Sequence, residues 1–287
     1  MYVKSPLRYM GNKYKILDQI IPLFPRDIDV FYDLFGGGGD VTVNVKANKT
    51  IYNDLFTPVK NVLETFYFND YETLIEAIDF IINAWGLRKQ KNSNYLKLRK
   101  DFNNGLFEEP LNWVALYVLT MYGFNYQYRF NKKGEFNSSP GLGWFNPQLR
   151  KWFKEFHQKL TNKDIEFLSV PYYKVDINLG KGNNFVYCDP PYLITRSTYN
   201  KMWDDKAERK LLEYLDRLND SGVKFALSNV LHHKGKTNHI LKEWSKKYHV
   251  RHLQRSYTNN NYQTKNRDPS STDEVLITNY NTRLVRG

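Results

Sequence analysis

The residues best suited to chemistry are Asp189, Pro190, Pro191 and Tyr192, near the end of the stretch NNFVYCDPPYLI. Phe185 to Cys188 read as a short buried strand, because Phe, Val and Tyr suit a pleated surface and none of the four is charged. The two prolines lack N–H groups and fix their own φ, so the chain leaves the strand stiffly and cannot begin a helix at once. The result is a rigid tip carrying one carboxylate, exposed carbonyls and an aromatic ring. Asp-Pro-Pro also makes an ordinary turn, so the rest of the chain decides whether the tip is reactive.

A glycine cluster, Gly36 to Gly39 in DLFGGGGDV, is the second feature. A P-loop would need GxxxxGK[ST], which is absent. A dinucleotide fingerprint would need a third glycine where Val41 stands. S-adenosylmethionine (AdoMet) carries no pyrophosphate and demands less. Glycines let its methionine part lie on the backbone, and an acid at the end of the next strand accepts from its ribose hydroxyls; Asp54 is placed for this.

Combined with the DPPY tip, AdoMet chemistry becomes methylation of an exocyclic amine. Such an NH2 is conjugated with its ring and weakly nucleophilic. A carboxylate and a proline carbonyl accepting its two hydrogens favour lone-pair character on nitrogen, while a tyrosine stacks on the base. Base edges cannot reach such a site from inside a duplex, so the target nucleotide must be flipped out. Rigidity then fixes the acceptors where the amine arrives.

These residues need elements to hold them. Ile16, Leu17, Ile20, Ile21 and Phe24 predict an amphipathic helix from near Asn12 to between Pro22 and Pro25. DVFYD reads as a strand with Asp33 near its end, the glycines as a tight turn, and KTIYND as a second strand ending on Asp54. FTPVKNVLETFYF follows as a helix with Thr57 as N-cap and Pro58 at the first helical position. This is an α/β nucleotide-binding beginning. From about Asn69 to Lys163 aromatic, basic and Asn residues dominate, with a helix at YETLIEAIDFIINAW and a hairpin at YRFNKKGEFN around Lys133-Gly134. Strands return at Phe185 to Cys188, Val223 to Asn229 and Asp273 to Tyr280, with a helix at ERKLLEYLDRLNDSG. Residues 1–68 and 164–287 are therefore expected to form one discontinuous catalytic domain, and 69–163 an inserted, mostly helical domain.

Composition bounds the classes. With 41% apolar and 16% aromatic residues in 287, the chain is a folded protein of one to two domains. No apolar run approaches the roughly 20 residues that span a bilayer, and MYVKSPLRYM has no signal-peptide core, so a soluble, cytoplasmic protein is expected. A single cysteine, Cys188, excludes an internal disulfide and reads as small apolar filler. The histidines show no HExxH spacing and no metal is expected; His232 and His233 read as loop residues. The formal charge of +12 is locally concentrated. LRKQKNSNYLKLRK holds Arg88, Lys89, Lys91, Lys97, Arg99 and Lys100 and no acid, which points to nucleic acid as the polyanionic partner.

In order along the chain, PLRYMGNKYKIL, DLFGGGG, Asp54, YRFNKKGEFN, VYCDPPY and FALSN resemble the Dam-type DNA adenine-N6 methyltransferases (D12 class, alpha group) over almost the whole sequence. The resemblance implies a Rossmann-like, mixed seven-stranded sheet with helices on both faces and a helical, hairpin-bearing target-recognition domain. It implies that Tyr9, Lys13, Asp33, Phe35, Gly36, Gly38, Asp54, Asp176 and Asp189 hold AdoMet, whose product is S-adenosylhomocysteine. Asp189, Pro190, Pro191 and Tyr192 would be catalytic. On double-stranded DNA, Arg129 falls on the arginine that reads guanine, and Arg8 on a basic residue contacting another base; Asn125, Gln127 and Ser139 complete the interface. Gln127 and Ser139 stand where GATC-specific members carry an apolar residue and a proline, so the site is GATC or a related sequence. A monomer is expected; its role is open between partner of a cognate restriction endonuclease, genetic rather than physical, phage modification and solitary regulation. The amine chemistry would equally serve cytosine-N4 or RNA methylation. A DNA-binding protein that keeps the fold without activity is the reading from another class, against which the intact Asp54 and Asp189 speak.

Overall fold

A computed structural model describes residues 1–89, 92–179, 182–195, 203–254 and 272–282. The chain divides into two compact units. The first comprises Met1–Tyr14, Gly36–Asn44 and Asp54–Ser169, the second Lys15–Phe35, Val45–Asn53 and Val170–Gly287. Lys91 of the basic run lies outside the described residues.

In chain order the strands are β1 (Ile28–Asp33), β2 (Ala47–Asn53), β3 (Ile165–Leu168), β4 (Phe185–Cys188), β5 (Lys224–His233), β6 (Lys236–Thr237), β7 (His249–Leu253) and β8 (Thr272–Thr278). All except β3 belong to the second unit, where they follow the order β2-β1-β4-β5-β8-β7, with β6 hairpinned onto β5. From β2 to β5 the strands are parallel; β8 pairs antiparallel with both β5 and β7. The α/β expectation holds, with seven strands in this sheet.

Burial explains why these segments are strands. All four residues of β4 are buried, as a strand covered on both faces requires. Phe31 of β1 stacks on Phe185 of β4 at 5.8 Å, and Phe24 packs on Phe185 at 4.8 Å. β1 lies between β2 and β4, so the chain's winding reverses there. Ligands of open α/β sheets bind outside the carboxyl ends of strands at such a reversal. Asp33 ends β1 and Asp189 follows β4, and both therefore sit at that edge.

The helices are α1 (Leu17–Ile20), α2 (Asp40–Asn44), α3 (Thr57–Phe68), α4 (Tyr71–Ala84), α5 (Asn92–Asn103), α6 (Leu111–Tyr122), α7 (Pro147–Thr161), α8 (Asp205–Asp220) and α9 (His239–Trp244). The first unit packs around α6, which is buried without a break from Val114 to Tyr122. Tyr117 of α6 meets Phe66 of α3 at 5.1 Å and Phe153 of α7 at 5.8 Å. In the second unit α8 starts on an Asp204 cap and buries Leu211, Leu212, Leu215 and Leu218.

Three local expectations are corrected. The N-terminal amphipathic stretch is α1 flanked by single 3-10 turns at Tyr14–Ile16 and Ile21–Leu23 rather than one helix, because Pro22 brings no N–H to continue it. Thr57 is the first residue of α3 rather than its cap: Phe56 holds the cap position, and the Thr57 hydroxyl instead shares a 2.8 Å hydrogen bond with Ser169. His232 and His233 end strand β5 rather than lying in a loop; their rings bond Thr237 and Thr272 at 2.8 Å.

Candidate active site

Asp189 is half-buried and Pro190 buried where the chain leaves β4, while Pro191 and Tyr192 are half-buried. The Tyr192 hydroxyl lies 3.1 Å from Asp189 Oδ1 and 3.1 Å from Glu274 Oε1. Glu274, in β8, is fully buried, and Asp33 is only 1% exposed. Three carboxyl groups are therefore gathered at this sheet edge. Burial pushes the Tyr187 phenol well above its ordinary value, with Asp189, Asp33 and Glu274 adding to the effect and a 2.7 Å bond with Ser228 opposing it. Burial likewise raises the Cys188 thiol, helped by Asp33 and Asp189. Cys188 stays a protonated thiol and serves as core filler. Phe35 packs 5.5 Å from Tyr172 and edge-on to Trp203 at 5.9 Å; Asp176 is exposed, just past the single turn Tyr172–Lys174.

In the first unit the glycine turn closes through a Gly39 N–H to Gly36 carbonyl bond of 2.9 Å, with Gly39 at φ +78. Gly38 has no room for a side chain, since a Cβ would stand 3.0 Å from the Cβ of Tyr9. The glycine at 38 therefore serves the close approach of Tyr9 to the turn. Asp54 is tied to the same turn: Gly37 N–H donates to Oδ2 and Phe56 N–H to Oδ1, both at 2.8 Å. Each oxygen keeps a second lone pair. Lys13 is buried, and its ammonium donates to the Gly11 carbonyl at 3.3 Å.

Burial pushes the Asp54 carboxyl up to about 6, against the two amide bonds that favour its charged form. Because the folded value is raised, the contribution of this group to stability is complete below its ordinary pKa and is lost as pH rises toward 6. Ligand binding runs the other way. A charged acceptor is present only above about pH 6, so AdoMet affinity is expected to fall as pH drops through that value. Asp40, also raised by burial to about 6, titrates in the same window. Titration calorimetry from pH 5 to 8 on wild type and Asp54→Asn checks the assignment: the variant should bind weakly with a flat profile, and an unchanged slope would assign the effect elsewhere.

The hairpin is also in the first unit. Phe130 and Phe136 bridge its arms, Asn137 N–H donates to the Arg129 carbonyl at 2.8 Å, and Gly134 at φ +80 turns the tip. Arg129 and Ser139 are exposed and Gln127 half-buried; Asn125 is exposed at φ +53. Arg8 is occupied: its guanidinium lies 4.4 Å from the Tyr126 ring centre and bonds the Tyr126 hydroxyl. Helix α5 braces the hairpin from one face. Tyr95 and Arg99 donate to the Ser138 carbonyl at 3.1 and 2.9 Å, and Asn103 makes two bonds to the Phe136 backbone.

Arg99 is thus a brace, whereas Lys97 and Lys100 are exposed. Neutralising Lys97 and Lys100 is expected to reduce the slope of log affinity against log salt by roughly 0.9 for each phosphate they neutralise. Arg99→Ala should leave that slope unchanged and blur sequence preference instead. Salt titrations of duplex binding separate the two outcomes, and equal slopes for all proteins would remove α5 from the DNA footprint.

The family model described as D12 class N6 adenine-specific DNA methyltransferase matches residues 9–259. The chain belongs to this family. It is 44% identical over 97% of its length to the type II methyltransferase M.FokI of Planomicrobium okeanokoites, covering 43% of that protein. It is 41% identical over 98% of its length to the modification methylase StsI of Streptococcus sanguinis, covering 44%. The chain therefore spans under half the length of these two relatives. A DNA adenine methylase of Salmonella typhi is 25% identical, with 88% of this chain and 89% of that protein aligned.

The structure gives the Asp189 to Tyr192 tip a neighbour that the sequence does not advertise. Glu274 is hard to single out because DEVLITNY reads as a plain strand. An acid on the side of that apolar run that faces inward is the available signal. Tyr172 and Trp203, packed on Phe35, carry no such signal. Among the described residues no group of three His, Cys, Asp or Glu side chains could hold a metal ion, and no helix is long and apolar enough to cross a membrane.

Proposed function

We propose that this chain transfers a methyl group from AdoMet to the N6 amine of a flipped-out adenine within a short site in double-stranded DNA. The observation that carries the reading is the Asp189, Pro190, Pro191, Tyr192 tip at the carboxyl end of β4, beside the carboxyl end of β1 with Asp33, in a chain of this family. AdoMet, when bound, supplies the electrophilic methyl. Asp189 Oδ and the Pro190 carbonyl accept the two amine hydrogens, aligning the nitrogen lone pair, and the Tyr192 ring stacks on the base. Pro191 keeps the tip stiff. Asp54 accepts from ribose hydroxyls; the turn at Gly36 and Gly38 lies beneath the methionine part. Tyr9, Lys13, Asp33, Phe35 and Asp176 complete the cofactor's surroundings.

Residues 1–68 and 164–287 act as the catalytic domain and 69–163 as the target-recognition domain, with Arg8, Asn125, Gln127, Arg129 and Ser139 on DNA. The site is GATC or a related adenine-containing sequence. The enzyme works as a monomer in the cytoplasm, with a cognate restriction endonuclease as a genetic rather than physical partner. Relatives named as a type II methyltransferase and a modification methylase support a restriction partner. Incubation with tritiated AdoMet and duplex DNA, single strands or RNA, followed by identification of the labelled nucleoside, tests the reading. N6-methyladenine in duplex DNA is the expected product; N4-methylcytosine or labelled RNA would overturn it.

A further inference from the structure

We propose that Glu274 is a positioning residue for Asp189, acting through the Tyr192 hydroxyl; the proposal rests on the methyl-transfer reading above. Tyr192 has one hydroxyl proton and faces two carboxylate oxygens, each at 3.1 Å. Both distances are long for O–H···O, as befits one donor shared between two acceptors. A carboxylate oxygen that already accepts a proton is a weaker acceptor for the amine. When the hydroxyl turns to Glu274, Asp189 Oδ1 loses that competing donor, and the Tyr192 ring stays anchored for the base.

The fold fixes Glu274 and leaves the other partner adjustable. Glu274 lies within β8, opposite Val230 of β5 and Leu253 of β7, and is fully buried. Tyr192 lies on irregular backbone past the strand end, and its O–H can rotate about the C–O bond. Val275, Leu276 and Ile277 show that this stretch of β8 is otherwise apolar. Burying an acid there is costly unless its charge is used. Accepting from the Tyr192 hydroxyl is one such use.

The test is a double-mutant cycle on Glu274→Gln and Tyr192→Phe. Single-turnover methylation by Glu274→Gln should slow about tenfold, with AdoMet affinity within about twofold of wild type, because a neutral amide competes poorly for the hydroxyl. In the Tyr192→Phe background the same change should have no further effect, since no proton remains to be drawn away. An equal slowing in both backgrounds, or none in wild type, overturns the proposal. Urea midpoints of the four proteins give a readout that needs no substrate. Non-additive shifts are expected from a Tyr192 to Glu274 bond, and additive ones would show that the bond is missing. Absence of methyl transfer by wild type would instead bring down the reaction assignment, while the urea cycle still reports on the bond.

Discussion

Alanine at position 189 is expected to slow methyl transfer about 10²–10³-fold while AdoMet binding remains measurable, because the partner removed is the acceptor for the incoming amine. Asp189 sits at the end of a fully buried strand and before two prolines, so its carboxylate is held in advance of substrate rather than recruited by it. Preorganised acceptors act where charge develops in the transition state, and their removal is felt in the rate more than in ground-state binding. Asp189→Asn keeps one carbonyl acceptor and should fall between wild type and alanine. Single-turnover transfer from tritiated AdoMet, with calorimetry for cofactor affinity, provides the measurement. A variant keeping more than about a tenth of wild-type turnover would remove Asp189 from its assigned role, since losing a positioned partner costs roughly 2.7–4 kcal/mol. A variant that no longer bound AdoMet would shift Asp189 to the cofactor.

What is legible in the sequence follows from how local each signal is. Strands β1 and β4 can be read because they are short, mainly apolar runs bounded by acids, glycines or prolines, and β2 because Thr50, Ile51 and Tyr52 favour a pleat just before Asp54; those boundary residues are also the candidate site. Gly36 to Gly39 announce a turn for the same reason. Helix α6 is not legible. Buried on all sides, its residues lack the polar face that makes a helical period visible. Strand β7 hides for the opposite reason: His249, Arg251 and His252 are exposed at the sheet's edge and read as polar chain. The double role of LRKQKNSNYLKLRK is hidden too. Tyr95, Arg99 and Asn103 recur every four residues, a spacing that puts them on one helix face, but only the fold shows that this face meets hairpin carbonyls. Glu274 depends on a hydrogen bond across 82 residues, from Tyr192 to β8, which no local pattern reports.

Loss of Arg129 is expected to remove about 1–3 kcal/mol of discrimination at one guanine of the site, because a guanidinium fork matches that base's two major-groove acceptors. The hairpin itself should survive the change. Its arms are joined through the Arg129 backbone carbonyl and braced by α5, while the Arg129 side chain is exposed. Arg129→Ala therefore separates reading from folding. The neighbouring positions bear on which base follows. Gln127 and Ser139 can hydrogen-bond, where an apolar residue and a proline would touch a thymine methyl, so the base next to the target adenine is open to change from that of GATC. Methylation mapping on a plasmid library with wild type and Arg129→Ala decides both points. If the variant kept the same guanine preference, another residue would be the reader, with Arg8 the first to examine once its hold on Tyr126 is broken. If wild type modified GATC alone, Gln127 and Ser139 would be substitutions that specificity tolerates.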